Sequence, residues 1–432
     1  MTLSSSVPAS LGDRFGNRRD PVVGYARGAI IADEVSESLR QQRAYGIIRD
    51  RYARLGDAGL FNLTGLIRAF PYAPGDEESM RSYVHFIARS QGELENLALQ
   101  RLGGKMGKHD GFLATRVTAG MLAIMLVLLK DGDRVLSLVP ADRSHPSIKQ
   151  SVMLARGGFE EAIGIDAYAE ALALEPAPKV VVVTTISPSK NHLPLQDAVR
   201  AIALARGRGA LIVLDDAHMA ARIAIYGEPP GLALDPAPDV TVWSLDKHLG
   251  GPRSGFVAGN ADLIRKIKAR ALALGVEAQL GQYIAGFNAV KAFDPAPIQA
   301  AAKLSERVLA SLGNAMSGRG YLAGAGIAVG GEDFLEIALA RAGRDSTTLV
   351  PIEAVAFGAM TILEKYGAVT IPAVGMPGAA CTFRLMMYPD GERFGERTFG
   401  EAWHAAIEAT AEVLDKPEQV RATLLGNVPA TG

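Results

Sequence analysis

The stretch Asp239-Val-Thr-Val-Trp-Ser-Leu-Asp-Lys-His-Leu-Gly-Gly-Pro-Arg-Ser-Gly255 passes from an apolar segment into a polar, glycine-rich turn. Val240 to Trp243 is β-branched and aromatic, which reads as a strand, and Gly250-Gly251-Pro252 stops any regular element after it. Working outward, Leu211-Ile-Val-Leu ends in Asp215-Asp-Ala-His218, and Lys179-Val-Val-Val-Val-Thr-Thr185 and Arg134-Val-Leu-Ser-Leu-Val139 have the same character. Gly255 to Ala258 reads as a further strand. Helical stretches separate them at Met121 to Lys130, Ser147 to Arg156, Leu195 to Arg206, Leu263 to Ala273 and Ala278 to Phe293. Short strands that are apolar throughout and alternate with helices predict an α/β fold with a mostly parallel sheet buried on both faces. In such sheets the polar residues just past the strands' carboxyl ends bind ligands.

The flanks divide the chain into three. Residues 1–75 are expected to form an N-terminal arm and helical segment, with a charged helix from Ala32 to Leu55. Residues 76–295 would form the large domain, opened by a helical stretch from Asp76 to Arg101 that ends at Gly103-Gly104. Residues 296–432 would form a smaller C-terminal α/β domain. It would hold a long helix from Ile298 to Met316, candidate strands at Phe334 to Ala338, Ala368 to Ile371 and Thr382 to Met387, and a closing helix from Thr398 to Leu414.

Composition narrows the function classes. The 432 residues are 48% hydrophobic and carry 45 basic against 46 acidic side chains, a net charge of −1. That balance offers no overall attraction to nucleic-acid phosphates, so a nucleic-acid partner is not expected. One cysteine, Cys381, excludes an internal disulfide framework and a multi-cysteine zinc site. The seven histidines show no metal-ligand spacing, and no metal is expected. Met1-Thr-Leu-Ser-Ser-Ser-Val-Pro8 lacks a basic region followed by an apolar one, so no secretion signal is expected. The longest apolar run, Met121 to Leu129, falls short of the ~20 residues that span a bilayer. The expectation is a cytoplasmic protein without a membrane segment.

Lys247 follows one strand and Asp215 ends another, a pairing that suits pyridoxal phosphate. The lysine would hold the cofactor as a Schiff base, and the aspartate would keep the pyridine nitrogen protonated so that the ring draws electrons. For Asp215 the alternative is a helix N-cap, a role for which Asp216 is equally suited. Ser244, three residues before Lys247, is placed to bond the cofactor phosphate. Thr118, Ala119 and Gly120 open a helix whose N–H groups would do the same. His218 could bond the cofactor's phenolic oxygen or act on substrate; the alternative is a core histidine satisfied by backbone. His145 could stack on the pyridine and move protons, or simply enter a helix. Arg384, in Thr382-Phe-Arg-Leu385, could hold a substrate carboxylate, or form a surface ion pair.

With these residues in place, the chain resembles the fold-type-I pyridoxal phosphate enzymes of the aspartate aminotransferase superfamily, over about residues 60 to 390. Ser244-Leu-Asp-Lys-His-Leu-Gly-Gly-Pro-Arg-Ser-Gly-Phe-Val-Ala-Gly259 and Phe61-Asn-Leu-Thr-Gly65 are similar to segments of bacterial selenocysteine synthase and the amino-sugar-acid ammonia-lyases. Asp215-Asp-Ala-His218 with Gly251-Pro-Arg253 resembles serine hydroxymethyltransferase and the small aldolases, and Asp142-Arg-Ser-His-Pro-Ser-Ile148 resembles bacterial basic-amino-acid decarboxylases. The resemblance implies a transferase-like fold with a mostly parallel seven-stranded sheet sandwiched by helices and a smaller second domain. It also implies a homodimer or higher homo-oligomer. The function expected is a lyase acting on a small β-substituted, hydroxylated amino acid, by aldol-type Cα–Cβ cleavage or β-elimination. The alternatives are a hydroxymethyltransferase-like or amino-group transferase and an amino-acid decarboxylase.

Overall fold

The computed structural model describes residues 12–89, 92–375 and 379–426. The chain divides into two compact units. One is built from residues 65–302, the other from residues 12–64 together with 303–426.

The 65–302 unit holds seven strands: β1 (His109–Ala114), β2 (Arg134–Val139), β3 (Gly158–Ile163), β4 (Val180–Thr184), β5 (Leu211–Asp215), β6 (Val240–Ser244) and β7 (Gly255–Asn260). They form one sheet in the order β1-β7-β6-β5-β4-β2-β3. Only β7 runs against its neighbours, and the β6-β5-β4-β2-β3 run is parallel throughout. This is the mostly parallel seven-stranded α/β sheet expected from the sequence.

Strand alternation explains the all-apolar runs. Val180, Val182, Val213, Val240 and Val242 point to one face, against Ile124, Ile148 and Ile264 of the covering helices. Val181, Val183, Ile212 and Leu214 point to the other, against Tyr168, Ala201 and Ile202. Each fully buried branched side chain contributes about 1.5–3 kcal/mol of transfer free energy, so both helical layers are fixed to the sheet. Three helices matter for the site: α1 (Val117–Leu128), α2 (Pro146–Leu154) and α3 (Met219–Tyr226).

In the other unit, β8 (Tyr321–Leu322), β9 (Gly326–Gly330) and β10 (Thr382–Met386) form an antiparallel sheet with β9 in the middle. The two segments of this unit meet in several places. Phe61–Asn62 pairs in parallel with Ala368–Val369. Buried Glu353 accepts from the Ile30 and Ile31 N–H groups at 2.7 and 3.0 Å, and buried Arg40 donates to the Ala373 and Gly375 carbonyls. Residues 12–64 therefore belong with the C-terminal segment, not to a separate arm ending at residue 75; the N-terminal polar groups find their hydrogen-bond partners there.

Two element expectations are corrected. Phe334–Ala338 is not a strand but lies within a helix, Gly331–Ala342, whose buried Phe334, Leu335, Ala338 and Leu339 repeat with helical period. The stretch from Asp76 to Arg101 is three helices, Asp76–Met80, Tyr83–Arg89 and Glu93–Arg101, the last beginning after Gly92 at φ 88°.

Candidate active site

β6, β5, β4 and β2 are adjacent and parallel, so the loops after Ser244, Asp215, Thr184 and Val139 leave the same edge of the sheet. β1 runs the same way as β6, being separated from it by one reversed strand, and α1 therefore also starts at this edge. Topology alone thus gathers Lys247, Asp215, His218, His145 and the Thr118–Gly120 turn.

Lys247 lies in the turn after β6, half-buried, and pairs through backbone with Leu66. Next to it, buried Asp246 receives the Arg68 guanidinium at 3.2 Å. Ser244 donates its hydroxyl proton to Asp246 at 2.6 Å. With that proton engaged, Ser244 presents lone pairs, which suit a phosphate poorly.

Asp215 and Asp216 have different surroundings. Asp216 is fully buried and gripped by Arg222 through two nitrogens, at 2.9 and 2.6 Å, with Thr185 Oγ1 donating at 2.9 Å. Burial opposes the Arg222 charge, but Asp216 and Glu228 more than offset this, and its pKa is raised. Asp215, at the end of β5, receives one long bond from the Ala217 N–H at 3.3 Å. Burial pushes its carboxyl up, while the Lys247 charge pulls it down.

His145 caps α2: its Nδ1 accepts from the Ser147 N–H at 3.2 Å and lies 2.7 Å from Ser147 Oγ. The residue as a whole is exposed to solvent, although protein surrounds the ring on most sides. Burial, reinforced by Lys247, Arg143, Lys190 and Arg116, pushes its pKa down to about 3. Its exposure to solvent screens part of that effect, and the imidazole is neutral at ordinary pH. His218 is buried, with Nε2 2.8 Å from Lys190 Nζ and its ring 6.1 Å from that of His248.

Thr118, Ala119 and Gly120 form the first turn of α1, and Arg116 at the N-cap provides no side-chain cap bond. The Gly120 N–H is bonded to the Arg116 carbonyl at 3.0 Å, and the N–H groups before it stand at the positive end of the helix dipole, an environment that favours an anion. Gly255 lets β7 come close there, since a Cβ would lie 2.5 Å from the Val117 nitrogen. Arg384 is buried in β10, opposite Ala328, in the other unit. Sequence reasoning missed Lys190, Arg68, Arg116 and Asp246; Asp246 lies within the Ser244–Gly259 segment beside Lys247, whereas the other three belong to no motif and only the shared strand-end edge could have pointed to them. Among the described residues no cluster of three or more His, Cys, Asp or Glu could hold a metal, and no helix is long and apolar enough to cross a membrane.

A parallel sheet carrying a strand-end aspartate, a post-strand lysine and an open helix N-terminus defines a fold-type-I pyridoxal phosphate protein. Residues 89–333 match the aminotransferase class I and II family, and residues 324–395 match the UPF0425 C-terminal domain. A UPF0425 pyridoxal phosphate-dependent protein of Methanothermobacter thermautotrophicus is 30% identical, over 92% of this chain and 100% of its own length. The chain belongs to the aminotransferase class I and II family and, within it, to the UPF0425 pyridoxal phosphate-dependent proteins. It is also 30% identical to a 2-methylserine hydroxymethyltransferase of Paracoccus sp, over 40% of this chain and 41% of that one. Serine palmitoyltransferase of Sphingomonas wittichii has the same fold, with a TM-score of 0.54, 17% identity, and coverage of 85% of this chain and 84% of that structure.

Proposed function

We propose that this pyridoxal phosphate-dependent enzyme is a lyase for a small, hydroxylated or otherwise β-substituted amino acid, cleaving Cα–Cβ or eliminating the β-substituent. The observation that carries the cofactor chemistry of this reading is the division of labour at the end of β5, while the choice of a lyase is supported by the likeness of Asp215-Asp-Ala-His218 to hydroxymethyltransferases and small aldolases. Arg222 engages Asp216 in full, while Asp215 keeps a buried carboxylate facing the Lys247 charge.

The residues fit the cofactor. A buried carboxylate with one long hydrogen bond is costly unless a cation meets it, and a pyridinium N–H is such a cation. The uncapped α1 terminus and the close approach at Gly255 suit a phosphate. Lys247 would hold the aldehyde carbon, Asp215 the ring nitrogen, and the Thr118–Gly120 turn the phosphate. Pyridoxal phosphate, when bound, supplies an electron-withdrawing ring that weakens the bonds at the substrate's α-carbon. Neutral His145, its Nδ1 taken by the Ser147 N–H, would present an Nε2–H donor and adds no positive charge to a region that already holds Lys247 and Lys190. The protein would act as a homodimer, and exposed Phe70, Tyr72, Tyr83 and Val84 offer apolar surface for such an assembly.

The first test is the visible spectrum of the purified protein with pyridoxal phosphate, beside Lys247→Ala and with a panel of amino acids. Expected are a band that borohydride fixes to the Lys247 peptide, its loss in Lys247→Ala, and release of an aldehyde or ammonia from one hydroxylated amino acid. Equal labelling in Lys247→Ala, or stoichiometric transfer of the amino group to the cofactor without carbon–carbon cleavage, would overturn the assignment. A second reading, hydroxymethyl transfer, is favoured by the partial likeness to 2-methylserine hydroxymethyltransferase. Turnover that requires a one-carbon acceptor would select it.

A further inference from the structure

Six described residues other than glycine have a left-handed φ, and four of them, Arg68 (55°), Asp142 (51°), Lys190 (73°) and His248 (65°), stand at the ligand edge of the sheet. Each is engaged there. Arg68 meets Asp246 at 3.2 Å, and Ser189 donates to Asp142 at 2.7 Å. Lys190 Nζ lies 2.8 Å from His218 Nε2, and the His248 ring lies 6.1 Å from that of His218. A side chain costs about 1 kcal/mol or more in this backbone region, which glycine occupies without strain, and such outliers persist where the surroundings impose them. At Lys190 the turn itself is ordinary, closed by the Lys190 N–H to Ser187 O at 2.9 Å and the Ser187 N–H to Asn191 O at 2.9 Å. Glycine would build that turn more easily; what a lysine adds is its ammonium beside His218.

We propose that Lys190 is a positioning residue: it donates to His218 Nε2, holds that imidazole neutral, and makes His218 an N–H donor through Nδ1 instead of a base. This rests on the proposed function only for the use made of that donor. The proton between the two groups resides on lysine, whose ordinary pKa of about 10.4 far exceeds histidine's of about 6.5. Near His218 in the fold are also His248, whose ring lies 6.1 Å away in the turn after β6, and Asp215, three residues earlier at the end of β5 and itself acted on by Lys247. The neighbouring Asp216 is satisfied by Arg222, and a cation at hydrogen-bond distance from the His218 ring is the Lys190 ammonium. The cation also acts on His145 and Asp215, so its loss changes the whole pocket.

The test is a pH titration of the imidazoles by nitrogen NMR in histidine-labelled protein, loaded with pyridoxal phosphate and again after its removal, with the His218 signal identified in His218→Gln. Wild-type His218 should be the Nδ1–H tautomer and stay neutral below the ordinary histidine midpoint. In Lys190→Gly the midpoint should rise by about one pH unit or more, and Lys190→Arg should keep the wild-type value. Lys190→Gly should unfold at the same temperature as wild type or higher, and Lys190→Asn, which also tolerates this φ, serves as a second charge-removing variant. An unchanged midpoint in both neutral variants, or an Nε2–H tautomer in wild type, overturns the proposal. Absence of a cofactor band bears on the proposed function, whereas the cofactor-free titration decides this one.

Discussion

Asp215 and Asp216 are neighbours in sequence with opposite consequences when changed. Arg222→Met leaves Asp216 buried without its cation, and the cost should be about 3–5 kcal/mol, read as a large drop in thermal midpoint. Asp215→Asn removes a buried charge that has little protein support, so stability should hold within about 1 kcal/mol. What it should lose is affinity for pyridoxal phosphate, by tenfold or more in a spectroscopic titration, because the ring nitrogen no longer meets a carboxylate. A larger stability loss in Asp215→Asn than in Arg222→Met would refute this division. Lys247 and Asp215 were legible because each closes an apolar run, a local signal. Lys190 with His218 and Arg68 with Asp246 are separated by 28 and 178 residues, and nothing local marks either pair. Ser244, expected on the phosphate, instead bonds Asp246, a partner two residues away whose direction depends on the turn.

Among the elements, the junction of β7 with α1 is the most constrained part of the site. A Cβ at Gly255 would meet the Val117 nitrogen at 2.5 Å and its Cα at 2.6 Å, both backbone atoms that cannot swing aside. Gly255→Ala should therefore separate strand and helix start, costing about 1–3 kcal/mol and weakening inorganic phosphate and cofactor binding together. Unaltered cofactor affinity in a destabilised Gly255→Ala would show that the α1 terminus does not hold the phosphate. Buried strands were readable because both faces are apolar. The edge strand β3, Gly158-Phe-Glu-Glu-Ala-Ile163, was not, since it is partly exposed and Glu160 and Glu161, on opposite faces, interrupt any apolar run. Glu161 nevertheless accepts from the Ser144 N–H at 2.7 Å and so steadies the loop that carries His145.

At the scale of the whole molecule, one unit is drawn from both parts of the chain. Glu353 takes three N–H groups, from Ile30, Ile31 and Val350, and a Cβ at Gly28 would collide with its carboxylate. Glu353→Ala leaves those donors buried and unmet, which should cost about 3 kcal/mol or more, measured by denaturant unfolding. Loss confined to a few tenths would mean that the N-terminal segment is held by other contacts. Sequence periodicity found the helices of both segments but could not say that they share a core, because that knowledge lies in contacts across more than 300 residues.

That division has a consequence for how the protein is made. The segment up to residue 64 leaves the ribosome long before residues 303–426, which complete its unit. At ~5–20 residues per second the delay is on the order of tens of seconds. During it Ile30, Ile31 and Ala44, buried in the finished molecule, have no permanent cover. The nascent N-terminus is thus a natural client for chaperones, while the lysine-bearing sheet behind it can close as soon as residue 302 has emerged.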